Sequence, residues 1–564
     1  MKRVKNNSLF TMKLAPVFLT VSIGMSGCYE STKEIVYLDQ GWNDQNQYRE
    51  LSYNTSQGSN LIPYYWYLAL EIPFINIPLN SKEVTETLRY LYTDDASQLN
   101  PDKLPVGFVK NTDAENKEWI GFTCAACHTS QINYKGTGIR IDGGPAMGDF
   151  IKLLKVIRLS IDVTLDTDDL FERFAYKLYG QDWLAHIEKL KFDMQTIEQK
   201  LAGTIERADT TVETGYGRID AFGVIGNEVF ADDLGIPENF SQPNAPADYP
   251  FLWDTPILER VQWVGNVENP FGRNIGEVLG VFGDINLTDP EHLFASSVQY
   301  KNIHQLEEML RDLKAPKWPE SILKNINKRK ARRGEVIYKT EDANGYTCVS
   351  CHTLPDSNGQ YPLTLVEDNL YGKQFIKTYN IPLDEIGTDP NTANEIFQSP
   401  LVDVGPVLAS VFGEQFLPRT FAQSAVVGLT VRKALDEIEP PLSDIEKLSY
   451  SGFRFYAPGK EPAENFSGYK ARPLNGIWAT APYLHNGSVR TLSMLLTEPE
   501  SRETSFWKGT REFDPTHVGF KSKESAAAQL FDTTQPGNQN IGHNYGTSFS
   551  KQEKSNLIEF LKTL

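Results

Sequence analysis

The sequence predicts a mainly α-helical chain with two small cores, long connecting loops and little β-structure. Two stretches, 150–161 and 169–202, place apolar residues three and four positions apart, which is the spacing of one face of an amphipathic helix. The C-terminal stretch 551–564 shows the same spacing, and Ser550 with Glu553 has the spacing of a capping box at its start. Strand-like alternation is sparse along the chain. We therefore expect helices to build most of the core.

A cysteine–histidine motif occurs twice, as CAACH at 124–128 and CVSCH at 348–352. Two thiols at this spacing can add across the two vinyl groups of haem, and the adjacent histidine then becomes the proximal iron ligand. A shared zinc site is disfavoured by the long separation of the two pairs, and a redox dithiol does not need the repeated histidine. The sequence therefore predicts two covalently bound haem c groups. The residues predicted to hold them are Cys124, Cys127, His128, Cys348, Cys351 and His352.

The two motifs also predict two cytochrome c-like haem domains. A boundary is expected near 313–322, where two prolines precede a helix start. The N-terminal haem c domain is then 28–315, and the C-terminal haem c domain is 316–564. A Pro- and Asn-rich loop is expected over 231–256.

The first residues are typical of an export signal. A basic start without acidic residues precedes an apolar stretch at 14–25, which is too short to span a bilayer. The stretch ends in Met25-Ser26-Gly27-Cys28, which resembles the lipobox of bacterial lipoproteins. We expect a lipoprotein-type signal peptide over 1–27 and a location in the periplasm or at the outer membrane. Cys28 would carry the lipid, the only expected membrane contact; the alternative is plain secretion with cleavage elsewhere.

The net charge of −18 at pH 7 argues against a nucleic-acid partner, because phosphates need basic patches. An acidic protein would suit a basic redox partner, although solubility alone explains the charge equally well. The expected partners are therefore a small redox protein or a quinone-linked electron donor, together with peroxide or dioxygen.

Residues 100–564 resemble the bacterial di-haem cytochrome c peroxidase superfamily. The resemblance rests on the paired motifs, on TAPYLHNGSV at 480–489, which is similar to the family's TAPYxHDG segment, and on QWVGN at 262–266, which is similar to its WDG segment. The long gap between the motifs and the GVFG and GHNYG segments are closer to a larger subgroup. That subgroup includes the rubber oxygenases, which cleave polyisoprene with dioxygen.

The resemblance implies iron ligands. His128 and His352 match the proximal ligands of the family. In the classical peroxidases a methionine before the last helix is the distal ligand of the second haem. GNQNIGHNYG occupies that place here, so His543 is the predicted distal ligand, with His485 and His517 as alternatives.

The first haem is predicted to be open on its distal side. Classical peroxidases have a distal histidine soon after the first motif, whereas this chain has none between His128 and His186. Met147 lies in that interval and is either a ligand or a core residue. This departure puts in doubt the reductive activation by ligand loss that the classical peroxidases use.

Trp263 and Glu277 are the predicted catalytic residues. Trp263 matches the tryptophan that lies between the haems of the family, where a ring would shorten the electron path. Glu277 is the only carboxylate of the stretch 271–283, which would border the first haem, and it could shuttle a proton to peroxide. Phe271 and Phe282 could instead make a dry oxygenase pocket.

The resemblance also implies a calcium ion. The backbone carbonyls of Thr480 and Pro482 match positions that hold calcium between the domains of the peroxidases, and carbonyl oxygens suit that hard cation.

Together, these motifs and the resemblance predict an exported, peroxidase-like oxidoreductase. Its N-terminal haem would reduce peroxide or activate oxygen, and its C-terminal haem would relay electrons. Two alternatives stay open: a dioxygenase that cleaves a hydrophobic polymer or alkene, and an electron-transfer cytochrome without substrate turnover.

Overall fold

The computed structural model describes residues 32–268, 270–368, 372–436, 438, 440–444, 446–447, 467–525 and 527–564. The predicted signal peptide and Cys28 lie outside these residues. Within the described ranges, no helix combines the length and the apolar character that a membrane span requires.

The prediction of a mainly α fold with little β-structure is wrong. About 40% of the chain is helical and 14% is strand, so the fold is mixed α/β. The strands are two to six residues long and form small sheets of two or three strands. Strand Thr129–Tyr134 shows why the sequence pattern missed them: five of its six residues are buried, so it has no alternation of polar and apolar positions.

The α-helices are Gln45–Asn54, Tyr64–Ala69, Lys82–Thr87, Cys124–Cys127, Phe150–Asp166, Asp168–Tyr179, Ile187–Ala208, Ala221–Asn227, Pro270–Gly280, Tyr300–Leu310, Lys328–Tyr338, Cys348–Cys351, Leu383–Ile386, Asn391–Phe397, Gly405–Phe412, Arg419–Leu435, Leu492–Leu495 and Lys551–Leu561. The strands are Glu34–Tyr37, Ile62–Pro63, Glu71–Ile72, Ile77–Pro78, Phe108–Thr112, Glu118–Phe122, Thr129–Tyr134, Thr137–Asp142, Arg218–Ile219, Ala247–Asp248, Tyr379–Pro382, Leu401–Asp403, Phe416–Pro418, Gly468–Ala471, Ser505–Lys508, Phe513–Asp514, Gly519–Phe520 and Gln529–Asp532.

The first motif lies between two three-stranded sheets. Strand Glu118–Phe122 runs into the motif helix Cys124–Cys127, and strand Thr129–Tyr134 leaves it. The entering strand pairs antiparallel with Phe108–Thr112, and the leaving strand pairs antiparallel with Thr137–Asp142. The backbone on both sides of the motif is therefore fixed by sheet hydrogen bonds.

The predicted N-terminal helices are confirmed. Helix Phe150–Asp166 covers the first predicted stretch. Asp149 caps its N-terminus, because the Asp149 side chain accepts a hydrogen bond from the Lys152 N–H. The second stretch is divided into helices Asp168–Tyr179 and Ile187–Ala208 by a short 3₁₀ segment. Together these helices bury one of the large apolar cores.

The predicted C-terminal helix is also confirmed, with its capping box at Ser550 and Glu553. Helix Lys551–Leu561 packs against helix Lys328–Tyr338, which leads to the second motif. Gly334 permits this packing, because a Cβ there would lie 2.1 Å from the Asn556 carbonyl oxygen. The last helix thus supports the approach to the second motif.

A second core crosses the expected boundary between 315 and 316. It contains Met147 and Trp253 from the first half and Trp478 and Leu557 from the second. The assignment of two domains stays a prediction. Met147 lies within this core and is not among the residues that line the cavity beside the first motif.

Two cavities beside the paired motifs

The two motifs share one local geometry. Thr123 and Thr347 cap the motif helices, their side chains accepting hydrogen bonds from the Ala125 and Ser350 N–H groups. Each helix makes one turn. Its two cysteines, which are three positions apart in the sequence, therefore lie on the same face. The sequence therefore presents two thiols and a histidine in the same way at both sites.

Each proximal histidine is oriented by a backbone carbonyl. His128 Nδ1 lies 2.6 Å from the Pro250 oxygen, and His352 Nδ1 lies 2.7 Å from the Arg472 oxygen. With Nδ1–H donating to the carbonyl, Nε2 keeps its lone pair for a metal. Burial lowers the pKa of His128 to about 3, with Arg273 adding to the effect, and lowers the pKa of His352 to about 4. Both rings are therefore neutral, which is the form that binds iron.

Cavity one lies beside the first motif. Its empty volume is about 1190 Å³, and Cys124, Cys127 and His128 lie in its wall. This space includes the mouth that opens to solvent, and the two thiols and the imidazole that a haem c group requires stand together in its wall. The remaining wall is mostly apolar; among its members are Phe122, Phe150, Phe222, Ile225, Val278 and Val281.

The polar part of cavity one includes Glu277, as predicted from the sequence position, and Gln262. The Gln262 Nε2 donates a hydrogen bond to Glu277 Oε1 at 3.2 Å, and Arg273 Nε lies 3.6 Å from the same oxygen. Gln262 holds a left-handed backbone with φ of +66°. Behind this pair, burial raises the pKa of Glu307 to about 7, although Arg273 lies 3.7 Å away. A carboxyl group that can carry a proton near neutral pH therefore lies beside Arg273.

Cavity one contains one histidine among the residues that the structure describes. His128 is in the wall, and neither a second histidine nor a methionine joins it. Phe271 and Phe282 do not line the cavity either, because both are buried in the cores beside it. Helix Pro270–Gly280 turns Glu277 toward the cavity and Phe271 away from it.

Cavity two lies beside the second motif and has an empty volume of about 1510 Å³. His352 and His543 both line it, and their ring centroids are 6.4 Å apart. Two metal–imidazole bonds of about 2 Å each, with the ring radii added, span roughly 6 Å. Burial, with His352 nearby, lowers the pKa of His543 to about 3, so this ring is also neutral.

His543 is held in place by its backbone. Its N–H donates to the Ile386 carbonyl at 2.8 Å, and Arg502 donates to the carbonyls of Gly542 and His543 at 2.9 and 3.2 Å. The Nδ1 of His543 is buried and has no hydrogen-bond partner among the described residues. A buried nitrogen without a partner calls for an explanation, and this ring fits the role of a metal ligand.

Trp263 lies in the walls of both cavities. Its Nε1–H donates to the Asp248 carbonyl at 2.8 Å, and Asp248 also borders both cavities. The Asp248 carboxylate is paired with Lys508 at 3.0 Å. The structure thus places Trp263 in the partition between the two motif sites.

The alternative histidines have other surroundings. His485 is in the wall of cavity two, but it stacks on Tyr469 with 4.0 Å between centroids, and its Nε2 lies 3.0 Å from the Tyr469 hydroxyl. His517 is exposed and contacts Asp514 at 2.7 Å. His186 stacks on Tyr179. Of the predicted candidates, His543 is the one that faces His352.

The predicted calcium site is not tested by this structure. Thr480 and Pro482 line cavity two. In the described part of the chain, no cluster of three or more histidine, cysteine or acidic side chains forms a metal site. Calcium stays a prediction that rests on backbone carbonyls alone.

Several residues of the site were missed from the sequence. Pro250 and Arg472 act through backbone carbonyls, which leave no signal in the side-chain pattern. Gln262 stands beside Trp263 in the quoted QWVGN and could have been included on that ground. Lys470 lines cavity two and is separated from Arg472 by one residue of sequence.

Comparisons with known proteins agree with a cytochrome at the coarse level. Residues 468–508 match a family model described as RoxA-like, cytochrome c-like. The chain is 32% identical to the uncharacterized protein y4iJ of Sinorhizobium fredii, over 95% of this chain and 94% of that protein. It is 26% identical to the uncharacterized protein y4iM of the same organism, over 58% of this chain and 67% of that protein. The matched segment indicates a haem-binding oxidoreductase.

Proposed function

Because the chain belongs to the same family as y4iJ of Sinorhizobium fredii and carries a RoxA-like cytochrome c segment, we propose that it is an exported di-haem c oxidoreductase. Haem iron with an open axial position binds peroxide or dioxygen, and iron with two strong ligands carries electrons. One observation carries the proposal. His543 faces His352 across cavity two, whereas no second histidine or methionine lines cavity one among the described residues.

Each cavity has its own set of residues for holding a haem. Cys124 and Cys127 would hold the first haem, and Cys348 and Cys351 the second. The Pro250 and Arg472 carbonyls orient the proximal rings.

In cavity one, Glu277 holds or releases a proton while Gln262 fixes its carboxylate by a hydrogen bond. In the partition, Trp263 offers an aromatic ring between the two sites. The first site is thus equipped for oxygen chemistry, and the second for storing or relaying electrons.

The reaction we propose is the reduction of peroxide, with electrons from a small redox protein or a quinone-linked donor. The Gln262–Glu277 pair supports this choice, because peroxide reduction consumes protons at the reacting oxygens. The second candidate is an oxygenase that acts on a hydrophobic polymer or alkene. It is favoured by the apolar wall of cavity one and by the RoxA-like segment.

Turnover assays with purified protein test the proposal. The haem c content per chain is measured first, and two per chain are expected. Peroxide consumption with a reduced donor is then compared with dioxygen consumption on polyisoprene. Peroxide turnover supports the first reaction, and oxygen uptake without a donor supports the second. A protein with two haems and neither activity would be an electron carrier.

We also propose export, a lipid anchor at Cys28 and two haem domains, 28–315 and 316–564. A Cys28→Ala variant should no longer be found in the membrane fraction, and its haem content should be unchanged. A variant that stays in the membrane fraction would contradict the anchor.

A further inference from the structure

Lys470 occupies a fixed position in the wall of cavity two. It lies on strand Gly468–Ala471, which pairs antiparallel with Tyr379–Pro382, and its register partner is Asn380. The Lys470 backbone N–H donates to the Trp263 carbonyl at 2.8 Å. The strand is therefore hydrogen-bonded to the partition between the cavities, and Lys470 is one of the residues that line cavity two.

Two cationic side chains act on the Lys470 ammonium. Arg472 and Arg273 are the charged groups that act on it, and both disfavour its charge. Burial, with these two arginines, lowers the pKa of Lys470 to about 7. No carboxylate or hydrogen-bond acceptor pairs with this ammonium in the described part of the chain. Lys470 is half-buried. Without a counter-ion its ammonium loses a proton more readily, whereas an anion beside it would hold the charge, so the site suits an anionic group.

The other charged groups of the wall already have partners. Arg472 donates to the carbonyls of Pro473 and Asn475, and its guanidinium lies 3.6 Å from the centroid of the Phe251 ring. Asp248 is the one carboxylate among the described residues that line cavity two.

Asp248 is bound to Lys508 at 3.0 Å. Among the described residues, the wall of cavity two therefore offers Lys470 no unpaired carboxylate.

We propose that Lys470 is the counter-ion of a carboxylate on the prosthetic group in cavity two, and that this ion pair raises the group's reduction potential. The inference rests on the proposed haem, which carries two propionates. An ammonium that the carboxylate keeps charged would favour the reduced form, because reduction lowers the positive charge of the centre. Lys470 would thus be a residue that positions the cofactor and sets its potential.

Spectroelectrochemical titration of the low-spin haem tests this role. Lys470→Met keeps the length of the side chain and removes its charge, so the reduction potential is expected to fall. Lys470→Arg keeps the charge and should stay near the wild-type potential. Lys377→Met is the matched control, since Lys377 is exposed and stands just before the strand that pairs with that of Lys470.

Resonance Raman spectra give a second readout that does not depend on turnover. The propionate bending mode should shift in Lys470→Met and not in Lys377→Met. Equal potentials and equal propionate modes in Lys470→Met and wild type would overturn the inference. If the wild-type protein holds no haem in cavity two, the proposed function fails as well, and haem content measured beforehand separates the two outcomes.

Discussion

Cavity one and cavity two are built on the same motif and differ on the side opposite to it. In both, a one-turn helix presents two thiols, and a backbone carbonyl holds the histidine through Nδ1. Cavity two then receives His543 from a loop close to the C-terminal helix, whereas cavity one receives Gln262 and Glu277. The motif thus builds the same half of each cavity, and distant parts of the chain supply the half that differs.

Removing one pair of cysteines should have the largest effect. Cys124→Ala with Cys127→Ala is expected to halve the haem c content and to abolish peroxide or oxygen turnover, because the thioether bonds of the first site cannot form. Cys348→Ala with Cys351→Ala should also halve the content but keep the ligand-responsive haem. Haem staining and iron analysis measure the loss. Variants that keep two haems per chain would contradict the assignment of the motifs.

Replacing His543 should make cavity two resemble cavity one. His543→Gly suits the backbone, since His543 has a φ of +50° that glycine adopts without strain. The low-spin haem is expected to become high-spin and to bind cyanide, as followed by absorption spectra.

His517→Ala serves as the control for this change, because His517 is exposed. Its spectra should match those of the wild type. A low-spin, ligand-inert second haem in His543→Gly would show that another residue is the distal ligand.

Replacing Glu277 should weaken the chemistry of cavity one and leave cavity two unchanged. Glu277→Gln keeps the shape and removes the exchangeable carboxyl, so turnover is expected to fall about 10²–10⁴-fold. Steady-state assays measure the loss. Glu308→Gln is the control, because Glu308 is exposed and pairs with Arg311. Equal turnover in Glu277→Gln and Glu308→Gln would remove Glu277 from the mechanism.

Replacing Trp263 should weaken the electronic coupling between the two sites. Trp263→Phe loses the hydrogen bond to the Asp248 carbonyl, which costs about 1 kcal/mol of unfolding free energy. Electron exchange between the two haems should slow, as measured by rapid reduction of one haem and observation of the other. Trp507→Phe, at a strand position away from both cavities, is the control. Unchanged exchange in Trp263→Phe would show that electrons take another route.

The sequence was sufficient to predict structure where the conformation of a residue depends on its immediate neighbours in the chain. The helix from Phe150 and the capping box at Ser550 follow from local spacing and were predicted correctly. The β-structure was missed because its strands are short and several are buried on both faces. The wall of cavity one was predicted in part, since Glu277 lines it while Phe271, on the same helix, is buried in a core beside it.

The tertiary contacts of the site had no signal in the sequence. The carbonyls of Pro250 and Arg472 could have come from any residue type, because a backbone oxygen depends on chain path and not on the side chain. Lys470 is one of many lysines until its strand is placed against Trp263. Its missing counter-ion is visible only when the surrounding charges are known.

The most direct test of the central claim is an electron paramagnetic resonance spectrum of the purified ferric protein, recorded with and without cyanide. Our account predicts two signals. A high-spin signal from cavity one should convert to low-spin with cyanide, and a low-spin signal from cavity two should stay unchanged. Two low-spin haems that ignore cyanide, both as isolated and after half-reduction, would contradict the account and leave an electron-transfer cytochrome.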